Sequence, residues 1–216
     1  MKKLFFVCLI LVISITSVFA LDSYIGGYVD YMFETGQRKG TFLLPFEYSI
    51  SKSSIGFGVT GTEYFTDSFG LSYKVCGAML VSNTEADIKQ DISKEPLVFN
   101  TALDFLYRYK FSKIFALEAG GGLSYSMTTD ADSGLSYTVH TLDIDLKVGM
   151  LATIKKDFAL SAGVNMATPV LTKPIFSSDT GKATYDLSVT SFKIGPYVAL
   201  LYKFWFWRLS FYIYNF

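Results

Sequence analysis

The sequence has little charge and no long hydrophobic run beyond its N-terminus. Of its 216 residues 18% are charged, whereas a soluble domain usually carries about a quarter. Half of the residues are hydrophobic and 17% are aromatic. The longest later apolar run, residues 194–202, spans nine positions and contains Gly195 and Pro196, far short of the roughly 20 that a membrane-spanning helix needs. The composition argues against a soluble domain, and the run lengths argue against transmembrane helices.

Cysteine, histidine and surplus basic charge are also scarce. The two cysteines are Cys8, inside the N-terminal apolar run, and Cys76, so an intramolecular disulfide after export is excluded. The single histidine, His140, excludes a site with several histidine ligands. The 19 basic and 19 acidic residues form no basic stripe, which argues against nucleic acid as a partner. The run Gly120–Gly122 lacks the downstream Lys-Ser/Thr of a phosphate loop. We expect no metal and no cofactor.

The N-terminus has the pattern of a secretory signal peptide. Lys2 and Lys3 precede an apolar run, and Val18-Phe19-Ala20 forms a V-x-A cleavage site. We expect export through the Sec pathway with cleavage after Ala20; an uncleaved anchor helix is the alternative. The predicted organisation is a signal peptide at 1–20, one β-domain at 21–204 and an aromatic C-terminal tail at 205–216, which is interfacial or extends the last strand.

After the signal, hydrophobicity alternates with a period of two, which predicts strands with two different faces. In residues 141–150, apolar residues at even positions alternate with Asp143, Asp145 and Lys147. A soluble β-sandwich would bury the apolar face. A transmembrane β-barrel turns that face to lipid and satisfies every backbone group. We predict an all-β, closed antiparallel up-and-down barrel of eight strands, near residues 23–33, 54–65, 69–81, 97–110, 114–126, 138–151, 158–167 and 188–204.

The predicted connections favour the membrane barrel over the sandwich. Links at 66–68, 111–113 and 155–157 are short and polar, and they alternate with long links at 34–53, 82–96, 127–137 and 168–187. Outer-membrane barrels have this asymmetry of short periplasmic turns and long external loops. Residues 42–48 also alternate, but Pro45 would lie within that strand. We therefore assign them to the first external loop, and the choice between eight and ten strands stays open.

The inward face of the predicted strands carries nine ionisable residues. An eight-stranded barrel is just wide enough for its side chains to fill it, and isolated buried charges are costly. We therefore predict a salt-bridged, mostly plugged lumen, with a polar conduit as the alternative. Arg108 and Glu118 are equally distant from a turn and should be cross-strand neighbours. The predicted lumen network is Asp30, Lys74, Asp104, Arg108, Glu118, Asp143, Asp145, Lys147 and Lys193.

The turn sequences and the last strand resemble those of small eight-stranded outer-membrane β-barrel proteins of the OmpA/OmpX/OmpW-like superfamily. The turn pattern of residues 63–71 recurs at 107–118 and 153–160, and residues 195–204 are similar to the final-strand signal read by the barrel assembly machinery. On that resemblance the assembly signal comprises Gly195, Tyr197, Tyr202 and Phe204. Such chains normally stop at the terminal aromatic, whereas this one continues to residue 216.

The resemblance implies an outer-membrane protein with no enzymatic activity and a structural or surface-interaction role. Its expected partners are outer-membrane lipids and lipopolysaccharide, the assembly machinery, periplasmic chaperones, and host or surface ligands of the long loops; a monomer is expected. One alternative is a narrow channel or an OmpW-like transporter of small or hydrophobic solutes, with Met32, Leu80 and Leu106 as inward apolar residues. A weaker alternative is a lipid A-modifying enzyme using His140, although His140-Thr141-Leu142 lacks the serine of the His-x-Ser pattern.

Overall fold

Antiparallel strands make up almost all of the structure, a computed structural model that describes residues 20–41, 45–89, 98–132, 135–178, 181–184 and 186–204. Within these ranges no helix is long and apolar enough to cross a membrane. Residues 1–19 of the predicted signal peptide and the predicted C-terminal tail lie outside the described residues. The strands are β1 (Asp22–Thr41), β2 (Pro45–Tyr64), β3 (Phe69–Glu85), β4 (Ile88–Lys89), β5 (Val98–Lys110), β6 (Phe115–Asp132), β7 (Leu135–Lys155), β8 (Phe158–Ser178), β9 (Gly181–Thr184) and β10 (Asp186–Phe204).

The eight long strands form a ring. Each pairs antiparallel with its neighbours along the chain, and the last, β10, pairs with both β8 and β1. The short strands β4 and β9 add to the ends of β3 and β8 and lie off this ring. The predicted all-β, up-and-down arrangement is thus confirmed, and the eight long strands correspond to the eight predicted segments.

The strands are longer than predicted at one end. β1 continues to Thr41 and β2 begins at Pro45, with pairs such as Gly36 with Ile50, so the assignment of residues 34–41 and 45–53 to a loop is wrong, and residues 42–44 of that link lie outside the described residues. Residues 45–48 open β2 and add no further strand. Pro45 is the first residue of its strand, where a proline is tolerated. Likewise, most of the predicted links at 127–137 and 168–187 is paired strand. On β1 beyond Phe33 the outward residues, such as Thr35 and Gln37, are polar, so the alternation of apolar and polar residues ends before the strand does.

The outer face of the ring carries a belt of exposed apolar side chains. On β7, Ile144, Leu146, Val148 and Met150 are each about half exposed, while Asp143 and Lys147, at alternate positions of the same strand, are buried. Every long strand contributes to the belt. Its other members include Ile25, Val29 and Phe33 on β1, Ile55, Phe57 and Val59 on β2, Met79 and Val81 on β3, Phe105 on β5, Leu117 and Leu123 on β6, Leu160 and Val164 on β8, and Val198 and Leu200 on β10.

The two ends of the ring are built differently. At the turn end, three short turns join the strands at residues 65–68, 111–114 and 156–157, and Asp22 and Phe204 also lie there. Ser112 Oγ accepts hydrogen bonds from the backbone N–H groups of Ile114 and Phe115, which closes one turn. Aromatic pairs follow this rim, including Phe111 with Phe115 and Phe158 with Tyr202. At the hairpin end, the strands extend as paired hairpins beyond the apolar belt.

Candidate functional site: a plugged interior between two cavities

Three tyrosines fill the middle of the ring. Tyr28, Tyr64 and Tyr197 are at most 3% exposed, and the rings of Tyr28 and Tyr197 stack with centroids 5.9 Å apart. Glycine makes room for this packing at position 149, where a Cβ atom would meet the Tyr197 hydroxyl. Alternating large and small inward residues thus close the centre of the ring, and we call Tyr28, Tyr64 and Tyr197 the tyrosine plug.

A cation lies over each ring of the plug. The guanidinium of Arg108 is 3.5 Å from the Tyr64 centroid, and the Lys147 and Lys74 ammonium groups are 4.8 and 5.1 Å from those of Tyr197 and Tyr28. Cation–π contacts gain strength when water is excluded, reaching about 2 kcal/mol. The plug is therefore held by charge as well as by packing.

Hydrogen bonds between strands that are not neighbours in the ring fix the plug. The Tyr28 hydroxyl donates to Asp30 Oδ2 (2.7 Å) and accepts from Asn165 Nδ2 (2.6 Å). The Tyr64 hydroxyl donates to Glu118, whose other oxygen accepts from Ser161 Oγ (3.3 Å). Tyr28 and Asn165 lie on β1 and β8, which are not paired in the ring. These contacts show that the plug side chains point inward.

The nine residues of the predicted lumen network lie on the inner face. Six of them, Asp30, Asp104, Arg108, Glu118, Asp143 and Lys147, are at most 8% exposed. Lys74 and Lys193 pair with Asp30 (3.8 Å) and Asp143 (2.7 Å), and Asp145 accepts a hydrogen bond from Ser124. Lys74, Asp104, Asp145 and Lys147 line one small space inside the ring, whereas Arg108 lies toward the turn end.

Arg108 and Glu118 occupy opposing positions on β5 and β6, as predicted, but their ionic partners differ from the expectation. Arg108 Nη2 donates to Asp22 Oδ2 (3.1 Å) and its Nε donates to the Asp67 carbonyl (3.1 Å). Asp22 begins β1 and reaches Arg108 across the ring. The residue opposite Arg108 on the next strand can be predicted from the position of the turn between them. A partner on a strand that is not a neighbour cannot be predicted in this way.

Above the plug, at the hairpin end, a cavity of about 610 Å³ opens within the ring. Met32, Ala78 and Leu80 contribute an apolar wall. Five carboxylates and four cations also line this hairpin-end cavity: Asp30, Glu34, Glu85, Asp143, Asp145, Arg38, Lys52, Lys74 and Lys193. The charges nearly balance.

Sequence reasoning missed the ion pairs near the rim of the hairpin-end cavity. Glu85 accepts from Arg38 (3.3 Å) and pairs with Lys52 (2.9 Å). Burial raises the pKa of Glu85, but the nearby charges of Lys52 and Arg38 outweigh burial and hold the pKa below its usual value. These residues lie in segments predicted as loops, and the inward parity of Arg38 and Lys52 was the only signal that could have identified them.

Below the plug, at the turn end, a second cavity of about 350 Å³ opens toward the turns. Arg108, Lys110 and Lys203 line it together with Asp22. Between the two cavities, near Lys147 and Asp104, only about 20 Å³ remains, the space of about one water molecule. The plug therefore separates this turn-end cavity from the hairpin-end cavity.

The other residues singled out in the sequence lie apart from the plug. His140 is on the outward parity of β7, where its Nδ1 is 2.5 Å from the Tyr125 hydroxyl, and its cross-strand neighbours are Met127 and Lys173. Cys76 is buried on the inner face near Asn100. No group of His, Cys, Asp and Glu in the described ranges could hold a metal ion.

The residues of the predicted assembly signal lie on β10 and divide between its faces. Tyr197 belongs to the plug, whereas Tyr202 is 47% exposed and packs on Phe158. Gly195 pairs with Asn165, and Phe204 ends the strand beside Ser23. The role of these four residues in assembly stays a prediction.

Comparisons with solved structures identify the fold. The outer membrane protein OprG from Pseudomonas aeruginosa matches with a TM-score of 0.54 at 15% identity, over 86% of this chain and 96% of that one. Neisserial surface protein A (TM-score 0.46, 12% identity, 82% and 97%) and the attachment invasion locus protein Ail of Yersinia pestis (0.39, 9%, 85% and 100%) are also similar. No family model and no curated protein matches the sequence. On the OprG match, the chain has the fold of small outer-membrane β-barrel proteins.

Proposed function

We propose that this protein is a non-enzymatic outer-membrane β-barrel with a structural or surface-interaction role and a lumen closed by the tyrosine plug. The observation that carries the proposal is the combination of a continuous apolar belt outside and a charged, closed interior inside. Lipid would cover the belt, since no soluble monomer of this size usually exposes such a surface. The outer-membrane location of the OprG fold supports the same placement.

The orientation of the barrel is part of this proposal. The short turns would face the periplasm and the extended hairpins the outside, in keeping with the asymmetry of outer-membrane barrels. The proposed contacts of the barrel are lipids and lipopolysaccharide at the belt, the assembly machinery and periplasmic chaperones during insertion, and surface ligands at the hairpins. A monomer satisfies every strand edge in the ring, because β1 pairs with β10.

Planar-bilayer conductance tests the closed lumen. We expect the wild-type protein to give no stable current steps, and a Tyr28→Ala/Tyr197→Ala variant to give them, because the substitutions join the two cavities. The matched control is Tyr31→Ala/Tyr202→Ala, which removes two tyrosines from the outward parity and should stay closed. Folding of each variant is checked by its mobility on unheated gels, with Tyr28→Leu/Tyr197→Leu as a milder form. Wild-type steps equal to those of the plug variant would contradict the proposal.

The hairpin-end cavity favours a second candidate function, transport of small or hydrophobic solutes. Its volume of about 610 Å³ and its apolar wall would accommodate a small solute. Met32 and Leu80 belong to that wall, whereas Leu106 is buried and lies against Gly120. Liposomes containing the wild-type protein would swell in a small sugar if this candidate is correct, and would not swell if the plug closes the lumen.

A lipid-modifying activity has less support. His140 contacts the Tyr125 hydroxyl and lies opposite Met127 and Lys173, and the position two residues after it is Leu142, where the His-x-Ser pattern has its serine. We expect mass spectra of lipid A from cells with and without the protein to be identical. A change in acyl chains that depends on His140 would establish an enzyme.

A further inference from the structure

The turn-end cavity carries a large excess of positive charge. One carboxylate, Asp22, lines it together with five cations: Arg108, Lys110, Lys113, Lys156 and Lys203. The hairpin-end cavity, with four cations and five carboxylates, has no such imbalance. The excess at the turn end is therefore a local feature of one end of the ring, in a chain whose formal net charge is zero.

A single carboxylate serves three of these cations. Asp22 lies 2.5 Å from Lys203 Nζ, 3.1 Å from Arg108 Nη2 and 4.0 Å from Lys110 Nζ. Two oxygens with one negative charge cannot neutralise three positive charges. Asp67 in the neighbouring turn pairs with Lys110 (2.8 Å), and this hydrogen bond lowers the pKa of Asp67 below its usual value. Counting Asp67 and Asp157 in the neighbouring turns, five cations of the described residues still face three carboxylates.

The excess charge is built into the fold and is not a loose surface patch. Arg108 is 2% exposed and is oriented by the Tyr64 ring, the Asp67 carbonyl and Asp22. Lys113 and Lys156 project from two of the short turns, and Thr153 near the end of β7 donates its backbone N–H to the Ile114 carbonyl in the turn of Lys113. Two exposed lysines and a buried, oriented guanidinium thus line one cavity of about 350 Å³.

The chemistry of this site fits a phosphate group. Arginine and lysine bind phosphate through charge-assisted hydrogen bonds, and a dianion would compensate most of the surplus charge. Phe115 and Phe158 form part of the cavity wall and also belong to the aromatic rim of the turn end. A phosphate could therefore reach the cavity from solution or as the headgroup of a lipid lying against that rim.

We propose that the turn-end cavity is a binding site for a phosphate-bearing anion, with Arg108, Lys113 and Lys156 as its principal cationic groups. The site goes beyond the proposed structural role of the barrel and does not depend on whether the lumen conducts. We expect anions to bind at the turn end and not in the hairpin-end cavity, since the latter has no surplus of cations.

Two arms of one experiment test the site and distinguish the source of the phosphate. In the first, the folded protein in a nonionic detergent is titrated with pyrophosphate by calorimetry. In the second, the protein is placed in phosphatidylcholine vesicles with or without phosphatidylglycerol, and the bound lipid is measured by native mass spectrometry. Saturable pyrophosphate binding identifies a soluble anion. Phosphatidylglycerol enrichment without pyrophosphate binding identifies a lipid headgroup.

A matched pair of variants locates the site. Lys113→Gln/Lys156→Gln removes two exposed lysines from the turn end, and Lys39→Gln/Lys173→Gln removes the same charge from the hairpin end. We expect the first variant to weaken binding at least about tenfold and the second to change it less than about twofold, because charge-assisted contacts act at short range. Equal losses in the two variants, or binding of neither probe by the wild-type protein, would overturn the proposal.

Discussion

The two ends of the ring interior differ in how their charges are compensated. At the hairpin end, carboxylates and cations alternate and pair locally, as Lys193 does with Asp143 and Lys52 with Glu85. At the turn end, three cations converge on Asp22. The ends also differ in construction, because paired hairpins extend one and short turns close the other. A net charge near zero therefore does not mean that charge is balanced throughout the interior. The hairpin end is nearly balanced, the turn end carries surplus positive charge, and the tyrosine plug lies between them.

Substitution of Arg108 should cause the largest loss of folding stability. Arg108→Met removes one of the three cations beside Asp22 and also removes the cation over the Tyr64 ring. Asp22 keeps Lys203 as an ionic partner, so the expected loss comes from the cation–π contact, about 2 kcal/mol, and from a hydrogen bond of a charged group, about 1.5–3 kcal/mol. The matched control is Lys110→Met at the exposed rim, for which a surface ion pair predicts a loss of about 0–1 kcal/mol.

Urea unfolding in vesicles, followed by circular dichroism and by mobility on unheated gels, measures both changes in stability. A loss for Lys110→Met as large as that for Arg108→Met would mean that burial of the guanidinium is not what matters at the turn end.

A smaller effect is expected from adding a methyl group inside the ring. Gly149→Ala places a Cβ atom against the Tyr197 hydroxyl and the Ala162 carbonyl, and overpacking of this kind typically costs about 1–3 kcal/mol. Gly27 lies on the outward parity of β1 with nothing near its Cβ position. Gly27→Ala should therefore stay within about 0.5 kcal/mol of the wild type. Equal losses in the same urea titration would show that the plug is loosely packed.

The smallest effect concerns pH at the turn end. The hydrogen bond from Lys110 lowers the pKa of Asp67 in the folded protein, so its contribution to stability is present above the unfolded pKa and is lost as the pH falls through the folded one. Asp67 is exposed, and the contribution is small. We expect the Asp67→Asn variant to lose slightly less stability than the wild type when the pH is lowered. Urea midpoints of both proteins at neutral and acidic pH measure the difference. No change between the two proteins across that range would assign the acid sensitivity to other carboxylates.

Sequence periodicity predicted the ring because each strand in the belt has an apolar face. Residues 141–150 alternate without a break, which placed Asp143, Asp145 and Lys147 inside. The same rule failed at residues 34–53. Residues 34–41 are polar on both faces, and the alternation of Phe46, Tyr48 and Ile50 is assigned to a loop because of Pro45, so that only the pairing of β1 with β2 reveals the strands. The opposition of Arg108 and Glu118 followed from their distance to a turn, whereas the contact of Arg108 with Asp22 depends on how the ring closes.

The tyrosine plug was missed for a related reason. Tyr28 and Tyr64 occur in strands, where tyrosine is common on either face. The sequence singles out Tyr197 only as part of the predicted assembly signal. Their contacts join β1 to β8 and β2 to β6, strands that are distant in sequence. Such contacts depend on the diameter of the ring and on glycines at positions such as 149, which a single sequence does not reveal.

Site-directed spin labelling of β3 tests the central claim, that the apolar face meets lipid and the charged face lines the interior, most directly. Single cysteines replace Ala78 and Leu80, which line the hairpin-end cavity, and Met79 and Val81, which belong to the belt, in a Cys76→Ser background. In lipid vesicles we predict high oxygen and low nickel-complex accessibility for labels at 79 and 81, and the reverse ranking for labels at 78 and 80. Equal accessibility at all four positions, or an inverted alternation, would contradict the account.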